Sequence, residues 1–416
     1  MAPVTYNEQA KAALSKQLLA ALDKAELTET GLSPWGDNFD AVRKTILKYK
    51  GEWLTDIDVA ILLDEMILRS LPPSAKFSIG QIRQYLNEIE IQRVADEIAT
   101  FVGTIPRAYE INFPLPKVQI KAETILSNSV KLIRTFAGPE NSLRNFGGAL
   151  LPSPQPLPDS TYLCVLAKGY FSRYLFQSAM KDGLSMLKRT VQIARLKTVL
   201  DRDRSVQQTQ LLADALGGNR TEQIHRAFVL DVTNLQSKAA FVQLNLVTSS
   251  YLASLTVLND RAPLPGLMIP RVRAAAQEED IKRILATPVK LMTEEVSAFE
   301  NRSLGSALEW AFDADVDDEE TSKFLKTCIG LEAVLGEDSD EDRITERIAD
   351  RCAYLLNEKS GQRAVTRKKM REVYKLRSKV VHGLKTRFSN EDKMLALHGR
   401  LFLHQVLSKE LEALEK

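Results

Sequence analysis

The chain has 416 residues, 44% of them hydrophobic and 26% charged, and its 56 Lys+Arg against 54 Asp+Glu leave a formal charge of +2. That balance excludes wholesale disorder, which needs few apolar residues and a large net charge, and the length allows about two to three domains. The longest uninterrupted apolar run is six residues, Tyr162 to Ala167; a membrane-spanning helix needs roughly 20, so no integral membrane protein is expected.

The first 27 residues mix Glu8, Lys11, Lys16 and Asp23 with alanine and leucine. This lacks the apolar core of a secretory signal, and residue 2 is not the glycine that myristoylation requires, so the expected location is cytoplasmic. Residues 4–25 are expected to be helical, and the set Phe241, Leu244, Val247, Tyr251, Leu252, Leu255, Leu258 has the three- and four-residue steps of one helix face. The strand candidates are 117–121 and 227–232, short segments with partial alternation. Proline clusters at 151–158 and 263–270, and a weaker break at 106–116, are expected to separate packed units, because proline lacks the backbone donor and restricts its predecessor. The expected division is therefore 1–150, a mostly helical region of unknown function; 151–298, a middle helical region with a sensor or regulatory part; and 299–416, a helical bundle. Nothing in the first 300 residues identifies a ligand. Trp35, Trp53 and the Ser33-Pro-Trp-Gly36 turn read as packing and turn features. The fold class is mainly α, with minor β content allowed in the N-terminal region.

Beyond Pro270 the pattern is almost purely helical, with helices expected near 277–300, 302–313, 319–335, 342–357, 364–384 and 389–414. The short linkers suit an antiparallel bundle, and Gly336, Gly361 and Gly383 fall where helices are expected to end. Charge separates within this part: twelve acids and two lysines lie between Asp313 and Asp342, and ten basic residues and one acid between Arg363 and Arg387. Such blocks either attract each other within the bundle or between subunits, or the basic one meets a polyanion.

On a wheel at 100° per residue with Arg377 at zero, Met370, Val373, Leu376, Val380, Val381 and Leu384 fall between about −100° and +40°. Arg377 thus sits amid an apolar face, where a charge needs a partner such as Glu332 or Glu346, or a task. Ser378 and His382 lie near 100° and 140°, beside a stripe of Arg367, Lys368, Arg371, Lys375 and Lys379 on the same wheel.

The segments Phe324–Gly336 (FLKTCIGLEAVLG), Ile344–Leu356 (ITERIADRCAYLL) and Leu376–Gly383 (LRSKVVHG), the last containing R-x4-H, occur in this order. They resemble the Apea-like branch of the HEPN superfamily of helical ribonuclease domains over about 300–416. The resemblance implies a helical bundle that dimerises so that two R-x4-H motifs face each other, forming a metal-independent endoribonuclease without cofactor. Many HEPN proteins are toxins or effectors of antiviral defence in prokaryotes, some held by an antitoxin, and some have lost catalysis and only bind RNA or partners. Many active members carry Asn, Asp or His directly after the arginine, where this chain has Ser378. The implied catalytic pair is Arg377 and His382. The imidazole would move protons during attack of the RNA 2′-OH, and the guanidinium would stabilise charge on the phosphorane. Ser378 could orient the imidazole or phosphate, and Tyr374 could offer a ring to a base but reads more readily as a core residue. Glu332 and Arg351 would support the bundle, while Lys379, Lys375, Arg371 and Arg367 would hold flanking phosphates of RNA, tRNA among them.

Other signals are weak. Asp338-x-Asp340-x-Asp342 begins like a calcium loop, but Arg343 and Ala349 stand where glycine and glutamate are needed. His225, His398 and His404 lack metal-ligand spacing and read as ordinary, so no metal site is expected. Cys164, Cys328 and Cys352 show no C-x-x-C and read as reduced, buried thiols. No Walker, dinucleotide or hydrolase-elbow motif occurs.

Overall fold

The structure is a computed structural model that describes residues 5–28, 31–32, 36–75, 79–120, 122–134, 160–172, 178–202, 226–233, 240–257, 278–294, 299–336 and 344–415. The chain forms two compact units, one of residues 1–109, 167–182 and 231–237, the other of 110–166, 183–230 and 238–416. The units cut across the expected boundaries at 150 and 298. Compact units collect segments by strand pairing and helix packing, and both bring together stretches distant in sequence. The proline clusters at 151–158 and 263–270 lie outside the described residues.

The first unit contains helices α1 (Glu8–Leu22), α2 (Asp37–Lys50), α3 (Asp56–Ser70) and α4 (Glu88–Gly103), with short strands β1 (Glu26–Thr28), β2 (Gly31–Leu32) and β3 (Gly80–Gln81) in the order β2-β1-β3. Ile91, Val94, Ile98 and Val102 repeat at helical spacing along α4, and Leu14, Leu18 and Leu22 along α1; all are buried in one core, with Trp53 packed against it. Reciprocal capping boxes, Thr55 with Asp58 and Asn87 with Glu90, satisfy the first amide groups of α3 and α4.

A six-stranded sheet, most of whose residues belong to the second unit, is formed by β4 (Arg107–Leu115), β5 (Thr124–Ile125), β6 (Val130–Arg134), β7 (Thr161–Gly169), β9 (Arg226–Asp231) and β10 (Ala240–Gln243) in the order β10-β9-β4-β7-β6-β5. A separate ribbon joins β8 (Leu200–Arg202) to β11 (Leu255–Val257). The 227–232 expectation corresponds to β9, but 117–120 is not a strand and 121 lies outside the described residues; the weak break at 106–116 is occupied by β4, with Pro114 near its end. The apolar run at 162–167 is the centre of β7, buried through its middle, which is why it does not alternate. The single helix expected from Phe241 to Leu258 is instead β10, a short helix α6 (Leu246–Ala253) and β11. Pairing of Phe241 with Phe228 on β9 overrides the local helical period.

Helices α5 (Ser178–Leu196) and α7 (Glu278–Thr293) precede five bundle helices, α8 (Phe299–Val316), α9 (Glu320–Leu335), α10 (Ile344–Leu356), α11 (Ser360–Val381) and α12 (Asn390–Leu414). These follow the helical spacing read from the sequence. Phe324, Cys328, Leu331, Ile348, Cys352, Met370, Val373, Leu376, Leu403 and Leu407 fill the bundle core. A side chain at Gly330 would bring its Cβ to 3.0 Å from Leu403 Cδ2, so glycine there lets α9 and α12 approach closely. Gly361 lies in the first turn of α11 rather than past a helix end. The three cysteines are free and buried. Among the described residues, no helix is long and apolar enough to cross a membrane.

Candidate functional site

Helix α11 runs 22 residues without proline and ends at His382, whose amide donates to the carbonyls of Ser378 and Val380. Gly383 takes φ +69 and donates to the Val380 carbonyl, while Leu384 donates to that of Lys379. This is a Schellman termination, which needs a residue without a Cβ penalty at the left-handed position. Nothing lies within 4 Å of a Cβ added to Gly383. Gly383→Ala is therefore expected to cost about 1 kcal/mol through backbone strain alone, read as a lowered urea midpoint.

The apolar face of α11 ends earlier than the wheel places it. Met370, Val373 and Leu376 are buried, but Val381 and Leu384 are 50% and 77% exposed. At the C-terminal end of the helix these apolar side chains meet water. Tyr374 takes the core alternative: it is buried, its hydroxyl has no partner among the described residues, and its ring cannot stack on a base.

The Arg377 fork meets Glu332 on α9, with Nε to Oε1 at 3.2 Å and Nη2 to Oε2 at 3.3 Å. Burial raises the Glu332 carboxyl above its usual range, and the Arg377 charge opposes that rise. Of the two carboxylates expected as partners, Glu332 takes Arg377, while Glu346 accepts from Arg371 Nε at 2.9 Å. Arg367 pairs with Asp350. Arg351 donates to the Leu335 carbonyl at 3.1 Å, tying α10 to the C-terminus of α9. His382, Ser378, Lys375 and Lys379 are exposed. Five residues separate Arg377 from His382, about 140° around the axis and about 7.5 Å along it. The helix therefore turns the guanidinium towards Glu332 while the imidazole stands at the solvent end. Among the described residues no cluster of metal-ligating side chains occurs; Asp338, Asp340, Asp342, Trp35 and His225 lie outside the described residues.

The acidic block meets the basic block through Glu332 and Arg377, but other described acids pair elsewhere. Asp313 pairs with Lys188 of α5 at 2.8 Å and Glu320 with Lys393 of α12 at 3.1 Å. Asp315, whose side chain is fully buried, pairs with Arg195 of α5 and, at 2.5 Å, with Arg400 of α12. His404 Nε2 lies 3.6 Å from the same carboxylate. Burial pushes the Asp315 carboxyl up, and Arg195, His404 and Arg400 more than reverse this, so it stays ionised. Arg195 also donates to the Tyr251 hydroxyl at 3.0 Å, and the Arg202 guanidinium lies 5.5 Å from the centre of that ring. Sequence spacing could not reveal this cluster, because its members lie on five elements.

Burial lowers the His404 imidazole to about 4, with Arg400 and Arg195 adding to the effect and Asp315 opposing it. A base whose folded value is depressed binds its proton mainly after unfolding, so stability is retained above about 6.5 and lost as pH falls towards 4. Allowing for partial exposure, the wild type is expected to lose about 2 kcal/mol more than His404→Gln between pH 6.5 and 4. Parallel chemical denaturation curves at several pH values measure the difference; identical pH slopes would remove His404 from the account.

No protein-family model, curated protein or solved structure matches the chain. What the fold defines is a mainly helical protein with small antiparallel sheets and a charge-segregated C-terminal bundle.

Proposed function

We propose that the chain is a metal-independent endoribonuclease of the HEPN type, cleaving RNA, with tRNA a first candidate, as a homodimer formed through the C-terminal bundle. Such an enzyme would work in the cytoplasm, in antiphage defence or as a toxin restrained by a cognate partner. The observation that carries the reading is the exposed His382 closing a helix whose outer side presents Lys375, Ser378 and Lys379, five residues after a partly exposed arginine fork.

In the reaction, His382 accepts the 2′-OH proton as the 2′-oxygen attacks the adjacent phosphorus. The bond from phosphorus to the 5′-oxygen breaks, and a protonated imidazole supplies the proton to that leaving oxygen. Products are a 2′,3′-cyclic phosphate and a 5′-hydroxyl. Arg377 stabilises the phosphorane charge with its planar fork. The 140° between the two residues on one helix favours a site that combines groups from two copies of the chain. The exposed lysines bind flanking phosphates, so affinity falls as salt rises. The test is cleavage of tRNA and single-stranded RNA by the purified protein in EDTA, with cyclic phosphate ends as the product signature.

The bidentate hold of Glu332 on Arg377 favours a second reading, a catalytically inactive RNA-binding or scaffold protein in which the arginine is structural. RNA binding that survives His382→Ala, with no cleavage across varied RNAs, decides for it.

A further inference from the structure

Four cations from four elements gather around the single buried carboxylate of Asp315. Arg195 and Arg400 contact it. Lys323 is half-buried beside it and Arg202 lies over Tyr251. The other carboxylates acting on this group, Asp201 and Asp318, are exposed and therefore screened by water. A buried structural ion network is normally balanced, because each uncompensated charge costs several kcal/mol of desolvation. Here the described residues leave positive charge in excess.

The donors are also unspent. Among the described residues, Arg195 Nε and Arg202 Nε are both buried without a hydrogen-bond acceptor. Among the described residues, Arg195 donates through Nη1, to Asp315 and Tyr251. Buried guanidinium N–H groups are rarely left without an acceptor. Burial chiefly lowers the Lys323 amine, with Arg400 and Arg202 adding to it and Asp318 and Asp315 opposing. Arg195 and His404 also line an open groove with Asn357, Phe402, Gln405 and Ser408, which offers polar and aromatic contacts next to the cations.

We propose that the cations around Asp315 form a binding site for a small phosphorylated ligand, its phosphate held by Lys323, Arg400 and Arg202 and the rest of the molecule lying along the groove beside Arg195 and His404. Convergence on one point fits a compact phosphate better than the backbone of RNA, whose regularly spaced charges call for a stripe such as the one carrying Lys375 and Lys379. The site is independent of the nuclease reading and stands or falls separately from it.

Calorimetric titration of the full chain with inorganic phosphate, pyrophosphate and AMP, against potassium chloride at matched ionic strength, tests the site. Saturable binding of at least one phosphate probe is expected, weakened about tenfold by Lys323→Met and by Arg400→Gln, and unchanged by Lys16→Met at an exposed position of the other unit. The three probes separate a site for free phosphate from one that needs the organic part. No saturable binding of any probe, equal heats with chloride, or indifference to both substitutions overturns the proposal. So does affinity confined to single-stranded RNA. Circular dichroism monitors folding, and if Arg400→Gln unfolds, Lys323→Met decides alone, since Lys323 holds no ion pair among the described residues.

Discussion

Asp315→Ala is expected to lower the unfolding free energy by about 3–5 kcal/mol, the range for removing one partner of a buried ion pair. The carboxylate is fully buried and is the counter-charge for Arg195 and Arg400, which anchor α5 and α12 to α8. Its loss leaves two guanidiniums facing each other across a low-dielectric gap, with only the Tyr251 hydroxyl as a remaining acceptor for Arg195. Asp315→Asn keeps the shape but not the charge, so most of the loss should persist, whereas truncating the exposed Asp318 should change little. Urea denaturation followed by circular dichroism measures all of these. A cost below about 1 kcal/mol for Asp315→Ala would place the effective counter-charge elsewhere.

His382→Ala is expected to reduce RNA cleavage by at least about 100-fold, the lower end of what a positioned acid or base contributes. His382 is exposed and makes only backbone cap bonds, so the substitution should leave the melting temperature nearly unchanged. Arg377→Ala should reduce the rate comparably, and Arg377→Lys should not restore it, because an ammonium lacks the planar fork. Glu332→Gln separates the roles of the arginine: it releases the fork from its bidentate carboxylate, so cleavage should be retained or raised while stability drops. Loss of cleavage in Glu332→Gln together with normal activity in His382→Ala would reverse the assignment of the site.

The bundle helices were legible because their apolar residues recur at three- and four-residue steps over 13 to 25 residues, long enough for the period to stand out. The sheet was harder. β4 hides behind Pro106 and Pro114, and β7 is buried through its centre and so shows no alternation. The helix expected after Phe241 failed because pairing with β9 outweighs a local periodic preference in so short a segment. Within the site, R-x4-H and the basic stripe were visible as a local pattern. Core packing of Tyr374 was the favoured reading of the sequence, while the flanking of α11 by α9 and α10 that buries it was not legible.

The sequence by itself determined where the bundle helices lie, that their charges segregate into an acidic and a basic block, and that an arginine sits amid an apolar face followed by a histidine. Those properties follow from short-range periodicity and composition, which act within one helix. Only the tertiary structure decided which carboxylate each cation meets: Glu332 for Arg377, Glu346 for Arg371, and Asp315 for Arg195 and Arg400. Charges 120 residues apart, such as Arg195 and Asp315, are joined by helix packing, and desolvation at that contact turns an ordinary aspartate into the electrostatic centre of the unit.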